Sequence, residues 1–435
     1  MRGGLMVCGT TSDSGKSTLV TGLCRLLARR GVSVAPFKAQ NMSLNSMVTP
    51  SGHEIGRAQG VQAAAAGVQA EVAMNPILLK PTGERASQVV VLGRPTEVLS
   101  AAEYHERKPQ LLGLVLDALA DLRARFDVVL CEGAGSPAEI NLLDHDIVNL
   151  RVASEAGLRA LVVGDINLGG VFAALYGTVA LLPDRYRALV GGFVINKLRG
   201  DPALLLDGCE QLRARCGVPT LGVLPWVGGL ALDAEDSLAL DAPRAPGGGG
   251  AAGGGAVGDI LDVAVVRFPR IANFTDLDPL TVEPGVHVRF VHDAAGLGRP
   301  DLVILPGTKA TVADLAWLRE RGLDAAVARS DAAVLGICGG YQVLGRVVED
   351  DVESSAGQVA GLGLLPVATR FAPDKVTRLR SGEALGHAVH GYQVHHGRVA
   401  PEGGPGAEAF LTLEDGAVDG VQRGSVFGTT LHGLF

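Results

Sequence analysis

The sequence predicts an α/β protein with two doubly wound domains, and three of its features lead to this prediction. Short apolar runs rich in β-branched residues alternate with longer helical patterns, which is typical of parallel sheets flanked by helices. The chain opens with a strand, a glycine-containing loop and a helix. In the middle, residues 241–258 are so rich in Gly, Ala and Pro that they cannot bury side chains, and we expect a linker there.

The linker separates an expected first domain, residues 1–240, from an expected second domain, residues 259–435. The first should contain helices at 16–30 and 111–125 and strands at 5–8, 33–36, 128–131, 161–164, 192–195 and 221–224. The second should contain strands at 262–266, 286–290, 302–305 and 333–337. The apolar stretch 160–182 imitates a membrane span, but Asp165, Gly169 and Gly170 divide it into a strand and a helix that begins near Val171.

Composition narrows the class of protein. Of 435 residues, 47% are hydrophobic and 19% are charged, which is enough to build a core and excludes global disorder. The net charge of −8 argues against a nucleic-acid partner. The six cysteines include no C-x-x-C pair, so we expect neither a disulfide framework nor a cysteine zinc site, and a reducing cytoplasm is favoured. The first residues lack a basic region followed by an apolar run, so we expect no signal peptide. We therefore expect a cytoplasmic protein without a membrane partner, and a homo-oligomer is compatible with the sequence.

A phosphate-binding loop is predicted after the first strand. The loop GTTSDSGKST (residues 9–18) stands between a strand and a helix, the context in which backbone N–H groups cradle phosphates. Lys16 would neutralise the β- and γ-phosphates, and the Ser17 hydroxyl would join a Mg²⁺ shell. The first glycine lies one residue earlier than in the usual spacing. The candidate ATP-binding residues are Gly9, Thr10, Asp13, Gly15, Lys16, Ser17 and Thr18.

A glycine-rich turn that binds no nucleotide is the alternative interpretation of this loop. A partitioning-type ATPase switch is disfavoured, since Thr11 stands where it has an extra lysine.

Three polar residues follow other strands of the same predicted sheet. Glu132 ends the strand at 128–131 and is suited to bind Mg²⁺ together with Ser17. Lys38 could reach the same phosphates, and Asn196 could recognise adenine. A solvated glutamate, a surface lysine and a turn residue are the respective alternatives.

The second domain has the pattern of a nucleophile elbow with a thiol. A hydrophobic strand runs into Cys338, then two glycines and a helix. Backbone N–H groups at Gly307, in a Pro-Gly turn after another strand, and at Gly339 could form an oxyanion hole. His432 is the candidate base. A buried structural cysteine is the alternative for Cys338.

Four longer motifs carry a resemblance to a known family. They are residues 36–43 (PFKAQNMS), 74–81 (MNPILLKP), 132–141 (EGAGSPAEIN) and 270–279 (RIANFTDLDP). Together with the phosphate loop and the Cys338 elbow, they resemble the cobyric acid synthase family over essentially the whole chain. The resemblance implies a dethiobiotin-synthetase-like P-loop NTPase domain followed by a class I glutamine amidotransferase domain of flavodoxin-like fold. It also implies a cytoplasmic glutamine-hydrolysing ligase of cobalamin biosynthesis.

The reaction implied by the resemblance uses ATP, Mg²⁺ and glutamine to amidate the b, d, e and g carboxylates of adenosylcobyrinic acid a,c-diamide through acyl phosphates, with Cys338 as nucleophile and His432 as its partner. The candidate contacts to this corrinoid polycarboxylate are Gln40, Asn41, Arg267, Arg270, Tyr392 and His395. A solvated face is an equal alternative for the last four.

Two departures from the family pattern lead to expectations of their own. Class I amidotransferases usually carry Glu two residues after the catalytic His, where this chain has Leu434, and we expect a Cys–His pair without a third member. Relatives continue beyond the position of Phe435, so either the second domain is truncated at its C-terminus or this member of the family is short.

Three other functions remain open at the level of sequence. The sister a,c-diamide synthases share the architecture but differ after Lys38. A regulatory P-loop ATPase could carry an inert glutaminase-like domain. A dethiobiotin-type ligase is disfavoured because it has no need of a Cys338 domain.

Overall fold

The computed structural model describes residues 3–83, 85–228, 230 and 260–435. The described residues divide into two units. The first contains residues 3–42 and 55–230, and the second contains residues 43–54 and 260–435. The expected linker at 241–258 lies outside the described residues. A single boundary after residue 240 places Ser43–Glu54 in the first domain, whereas the structure groups this segment with the second unit.

The strands, in chain order, are β1 (Gly3–Gly9), β2 (Val34–Phe37), β3 (Gln40–Met42), β4 (Ser46–Val48), β5 (Glu54–Gly56), β6 (Ile77–Pro81), β7 (Ala86–Val91), β8 (Arg94–Ser100), β9 (Val128–Glu132), β10 (Arg159–Asp165), β11 (Val190–Leu198), β12 (Thr220–Pro225), β13 (Leu261–Val266), β14 (Val286–Val291), β15 (Leu302–Leu305), β16 (Ala333–Ile337), β17 (Val347–Asp350), β18 (Gly357–Ala360), β19 (Val367–Ala384), β20 (His387–Pro401), β21 (Ala407–Leu413), β22 (Val418–Arg423) and β23 (Val426–Thr429).

The helices are α1 (Lys16–Arg29), α2 (Arg57–Ala66), α3 (Ala101–Arg125), α4 (Leu150–Glu155), α5 (Val171–Leu181), α6 (Asp184–Arg187), α7 (Leu206–Cys216), α8 (Asp278–Val282), α9 (Ala294–Leu297), α10 (Thr311–Glu320), α11 (Leu323–Arg329) and α12 (Gly339–Leu344).

The first unit is built on a parallel sheet in the order β12-β11-β10-β1-β9-β2. All six strands predicted for this domain are present; β1, β2, β9, β10 and β11 contain buried apolar runs, whereas the edge strand β12 is partly exposed. A smaller sheet, β3-β6-β7-β8, was not predicted. The carboxyl ends of β1, β9 and β10 lie side by side, which brings the phosphate loop next to the residues that end the two neighbouring strands.

Two helices of this unit can be compared with the predictions made from local sequence. Helix α3 begins ten residues before the predicted start, because Ser100 and Glu103 form a capping box at its N-terminus. The apolar stretch 160–182 forms β10 and α5, as predicted. Within the described ranges, no helix is long and apolar enough to span a membrane.

The second unit contains five parallel strands in the order β14-β13-β15-β16-β23. Numbered along the chain, this order is 2-1-3-4-5, the flavodoxin-like arrangement that was predicted. The sheet continues through β22, β21, β19, β17 and β18, and β20 pairs with β19 in a long antiparallel hairpin. The turn after β16 places Cys338 at the carboxyl edge of the parallel part.

The segment Ser43–Glu54 is held in the second unit mainly by polar contacts. The Tyr392 hydroxyl donates to the Ser46 carbonyl at 3.0 Å, and Val48 packs in a small apolar cluster with Tyr392. The buried Glu54 carboxylate accepts from Lys375 Nζ at 2.5 Å. These contacts join residues far apart in sequence, so no local sequence pattern predicts them.

Candidate functional site

The phosphate loop of the first unit has the conformation its sequence predicts. Gly15 ends the loop with φ +93°, and a Cβ atom at this position would lie 2.0 Å from Asn196 Nδ2, so only glycine fits. Lys16 is buried, and its Nζ donates to the Thr11 carbonyl at 2.8 Å. The Ser14 hydroxyl is fully buried without a hydrogen-bond partner in the described chain. The loop therefore encloses polar groups suited to receive phosphate oxygens.

Glu132 is the centre of a buried cluster at the end of β9. Its Oε1 accepts from the Ser17 hydroxyl at 2.7 Å and from Lys38 Nζ at 3.0 Å. Its Oε2 accepts from Gln62 Nε2 at 2.5 Å. Burial alone would raise the pKa of Glu132, but Lys38 and the hydrogen bonds from Ser17 and Gln62 hold it below its usual value. The structure thus brings the predicted residues Ser17, Lys38 and Glu132 together.

Asn196 lies against the loop. Its Nδ2 donates to the Ser14 carbonyl at 3.0 Å, so this amide group supports the shape of the loop. The neighbouring Lys197 has φ +63°, and its Nζ bonds to the Asp13 carbonyl at 2.6 Å and to Asp165 Oδ2 at 2.7 Å. A role of Asn196 toward adenine stays a prediction.

The predicted Mg²⁺ site can be tested against its donor set. Ser17 and Glu132 provide adjacent oxygen donors, which suit Mg²⁺. In the part of the chain that the structure describes, no group of three or more His, Cys, Asp or Glu side chains could hold a metal ion. Because Mg²⁺ completes its shell with waters and substrate phosphates, one carboxylate and one hydroxyl fit a nucleotide-bound ion.

The thiol site of the second unit is a strained turn. Cys338 has φ +50° and ψ −107°, an unusual conformation for a residue with a Cβ atom. A Cβ atom on Gly340 would lie 1.8 Å from the Leu305 carbonyl oxygen, so glycine is required for the turn to pack on β15. Cys338 is buried, and its N–H donates to the Thr429 carbonyl at 2.8 Å. This is the geometry of a nucleophile elbow.

The buried His432 ring contacts two chemically important groups. The Cys338 side chain is close enough to influence the protonation of the ring, and His432 Nδ1 lies 2.6 Å from Asp276 Oδ2. Asp276 Oδ1 accepts from the Gly433 N–H at 3.0 Å. Although burial disfavours the charged ring, Asp276 and Cys338 raise the pKa of His432 to about 10. The structure therefore places a carboxylate beside the ring, which the expectation of a Cys–His pair without a third member does not include.

The two glycines predicted for the oxyanion hole lie close to this pair. A Cβ atom on Gly307 would lie 2.9 Å from His432 Cε1. A Cβ atom on Gly339 would lie 3.0 Å from the Thr308 backbone nitrogen. The Pro-Gly turn and the elbow thus converge, and the donation of their N–H groups to an oxyanion stays a prediction.

Comparison with known proteins finds a family model for each of the two units and similar relatives for the whole chain. A family model described as CobQ/CobB/MinD/ParA nucleotide binding domain matches residues 5–238, and one described as CobB/CobQ-like glutamine amidotransferase domain matches residues 262–435. The cobyric acid synthase of Frankia casuarinae is 54% identical over 460 residues, covering 100% of this chain and 86% of the relative. Those of Rhodococcus jostii and Streptomyces avermitilis are also 54% identical, covering 100% of this chain and 84% and 85% of theirs.

The chain belongs to the cobyric acid synthase family. The nucleotide-binding and glutamine amidotransferase domains matched in this chain agree with the fold class and the enzyme class, a glutamine-dependent ligase, predicted from its sequence.

Several residues predicted to contact a corrinoid substrate have partners within the chain. Tyr392 stacks on His432 with ring centroids 5.4 Å apart. Asn41 is buried and donates to Gln59 at 3.2 Å, and Gln40 accepts from the Tyr104 hydroxyl at 2.6 Å. These contacts hold the three side chains in place, and their roles toward the substrate stay predictions.

The remaining candidates lie in the second unit. Arg267 is buried and donates to the Phe268 carbonyl at 2.9 Å, and the Arg270 N–H donates to Asp314 at 3.2 Å. His395 Nδ1 bonds to the Gly397 carbonyl at 2.7 Å, and burial lowers its pKa to about 4. Arg267 and His395 are therefore not on a solvated face, and their contact with substrate carboxylates stays a prediction together with that of Arg270.

Sequence reasoning missed four residues of this synthase's candidate sites: Gln62, Asp165, Lys197 and Asp276. Asp165 could have been found, since it ends β10 just as Glu132 ends β9, and parallel strands present their carboxyl ends at one edge. Asp276 lies inside the recognised motif 270–279. Gln62 lies on an Ala/Gln-rich helix that carries no such signal.

Replacing Lys38 should destabilise the synthase. Lys38→Met leaves the fully buried Glu132 carboxylate without its cation, and we expect the free energy of unfolding to fall by about 3–5 kcal/mol in urea titrations. The double variant Lys38→Met/Glu132→Gln, which removes both charges, should recover most of this loss. An unchanged unfolding midpoint in the single variant would contradict the ion pair.

Proposed function

We propose that this chain converts adenosylcobyrinic acid a,c-diamide to adenosylcobyric acid, amidating the b, d, e and g carboxylates with ATP and glutamine. The observation that carries the proposal is the 54% identity with cobyric acid synthases over the whole chain. The loop around Lys16 and the contact between Cys338 and His432 support the two half-reactions.

The ligase half-reaction belongs to the first unit. A carboxylate is a poor electrophile, and transfer of the γ-phosphoryl group of ATP to a carboxylate oxygen converts it to an acyl phosphate with a good leaving group. Lys16 neutralises charge on the phosphates, and backbone N–H groups of the loop orient them. Ammonia then attacks the acyl carbon, phosphate leaves, and the amide nitrogen loses a proton.

Magnesium has a defined place in this proposal. Bound to the nucleotide, Mg²⁺ would supply charge neutralisation on the β- and γ-phosphates. Ser17 and Glu132 are the residues that would hold it. Lys38, next to the same carboxylate, limits the negative charge of the cluster when no nucleotide is bound.

The glutaminase half-reaction belongs to the second unit. The Cys338 thiolate attacks the side-chain amide carbon of glutamine, and the resulting oxyanion meets N–H groups of Gly307 and Gly339. His432 protonates the departing nitrogen, so ammonia leaves and a thioester remains. Water, losing a proton to His432, hydrolyses the thioester to glutamate and restores the thiol.

Neither rival function has an observation of its own in its favour. An a,c-diamide synthase would amidate other carboxylates, and the similar relatives are named cobyric acid synthases. An inert glutaminase-like domain has no need of the strained Cys338 turn or of the buried His432 beside it.

Mass spectrometry of the corrinoid tests the proposal. Adenosylcobyrinic acid a,c-diamide is incubated with the protein, ATP, Mg²⁺ and glutamine labelled with heavy nitrogen in its side-chain amide. We expect products with successive incorporation of label up to four amides, and none when ATP is omitted. An unchanged corrinoid mass would refute the substrate. Label incorporated only in a parallel incubation with cobyrinic acid would favour the a,c-diamide synthase.

A further inference from the structure

A carboxylate distant in sequence occupies the place beside the catalytic histidine. The position two residues after His432 is Leu434, which has no charge. Asp276, 156 residues earlier in the chain, bonds to His432 Nδ1 instead. The carboxylate therefore comes from the 3-10 turn Phe274–Leu277 between β13 and α8, and not from the segment after β23 that carries the histidine.

Asp276 holds the histidine at two points. One carboxylate oxygen lies 2.6 Å from the ring nitrogen Nδ1, and the other accepts from the Gly433 backbone N–H at 3.0 Å. The side chains of Asp276 and His432 are 5% and 2% exposed, so water does not compete for these bonds. Such charge-assisted bonds fix both the ring orientation and the backbone that follows it.

The turn that carries Asp276 is itself firmly held within the second unit. Asn273, with φ +51°, accepts from the Ser46 N–H at 2.9 Å through its Oδ1. The Thr275 hydroxyl donates to Asn45 Oδ1 at 3.0 Å, and both residues are buried. The carboxylate is thus presented on a preorganised turn, as expected for a residue that orients a catalytic group.

We propose that Asp276 is the positioning residue of the glutaminase centre, which holds the His432 ring with Nδ1–H toward itself and Nε2 toward Cys338. It stabilises the imidazolium that donates the proton to departing ammonia. This inference rests on the proposed function, since it assigns a role within the hydrolysis of glutamine.

The charges around the ring determine how the pH profile should respond. Asp276 and the Cys338 thiolate favour the imidazolium, whereas His395, the other titratable group near the ring, has its pKa lowered by burial and is neutral at neutral pH. Tyr392 stacks on the ring. Removing the Asp276 charge therefore removes a favourable interaction with the imidazolium, and the ring loses its proton at lower pH.

The test compares Asp276→Asn with wild type. We expect kcat for glutamine hydrolysis to fall about 10²-fold, the loss typical of a disturbed general acid. The alkaline limb of the kcat profile should move down by about 1–3 pH units, because the ring lacks its nearby anion. Amidation with added ammonia should keep its wild-type rate. Asp331→Asn, an exposed carboxylate of the same unit, is the matched control and should change neither quantity.

The outcomes separate the inference from the function on which it rests. If the wild-type protein hydrolyses no glutamine, the proposed function fails. If it does, and Asp276→Asn keeps both kcat and the alkaline limb, the inference is overturned and the function stands. If Asp276→Asn also loses ammonia-dependent activity, Asp276→Glu decides. Asp276→Glu keeps the negative charge. If the alkaline limb of its kcat profile lies at the wild-type pH, the inference is supported, and if the limb lies at lower pH, the inference is overturned.

Discussion

Cys338→Ala should abolish glutamine-supported amidation and leave ammonia-supported amidation intact. Without the thiol no thioester can form, and we expect the rate of glutamine hydrolysis to fall by on the order of 10⁴-fold or more, as when other enzymes lose their nucleophile. The phosphate loop lies in the other unit and does not use this residue. The measurement is the corrinoid product formed with glutamine and, separately, with ammonium chloride.

A second cysteine provides the control for this variant. Cys209, on the half-exposed side of α7 in the first unit, is a free thiol outside either site, and Cys209→Ala should keep glutamine use. Glutamine-supported product at the wild-type rate in Cys338→Ala would show that another group is the nucleophile. Loss of ammonia-supported product as well would argue that Cys338 is a structural residue.

Lys16→Ala should abolish amidation with either nitrogen source. Lys16 is the buried cation of the phosphate loop, and removing it leaves the charge that develops on the transferred phosphoryl group without a neutralising partner. We expect a fall in ATP-dependent product of about 10³-fold, the upper end for loss of one electrostatic stabiliser. Glutamine hydrolysis without corrinoid should continue, because its residues lie in the second unit.

Lys108→Ala is the matched control for Lys16→Ala. Lys108 lies on α3, and its Nζ lies 5.9 Å from the centre of the Tyr104 ring. The control should amidate at the wild-type rate. An Lys16→Ala protein that still consumes ATP and forms amide product would contradict the assignment of the loop.

The parallel strands could be predicted from sequence because burial on both faces leaves a continuous apolar run. The runs at 5–8 and 128–131 became β1 and β9 with shifts of one or two residues at their ends. The hairpin of β19 and β20 could not be found in this way. Its strands alternate polar and apolar residues irregularly, and a register shift between Phe371 and Val376 interrupts their pairing, so no regular period-two pattern marks them in the sequence.

The site residues also differ in whether local sequence or contacts between distant residues determine their roles. Lys16, Ser17 and Cys338 stand in contiguous motifs whose backbone geometry is local, and the structure gives those motifs the expected conformations. The roles of Tyr392 and Asp276 depend on contacts with His432 that cross the fold. Identity of a residue type within a motif does not reveal which partner it will meet, and Tyr392 was accordingly assigned to substrate.

The segment Ser43–Glu54 bears on whether the amidotransferase part of the chain is a module that can be cut out or exchanged. A gene divided within 241–258 would encode a C-terminal fragment without these residues. In that fragment Lys375, 6% exposed in the intact chain, would lose the Glu54 carboxylate, and the turn before Asp276 would lose Asn45 and Ser46. A transplanted or separately expressed glutaminase therefore has to carry this twelve-residue piece of the N-terminal half with it, and the chain is not a simple end-to-end fusion of two independent parts.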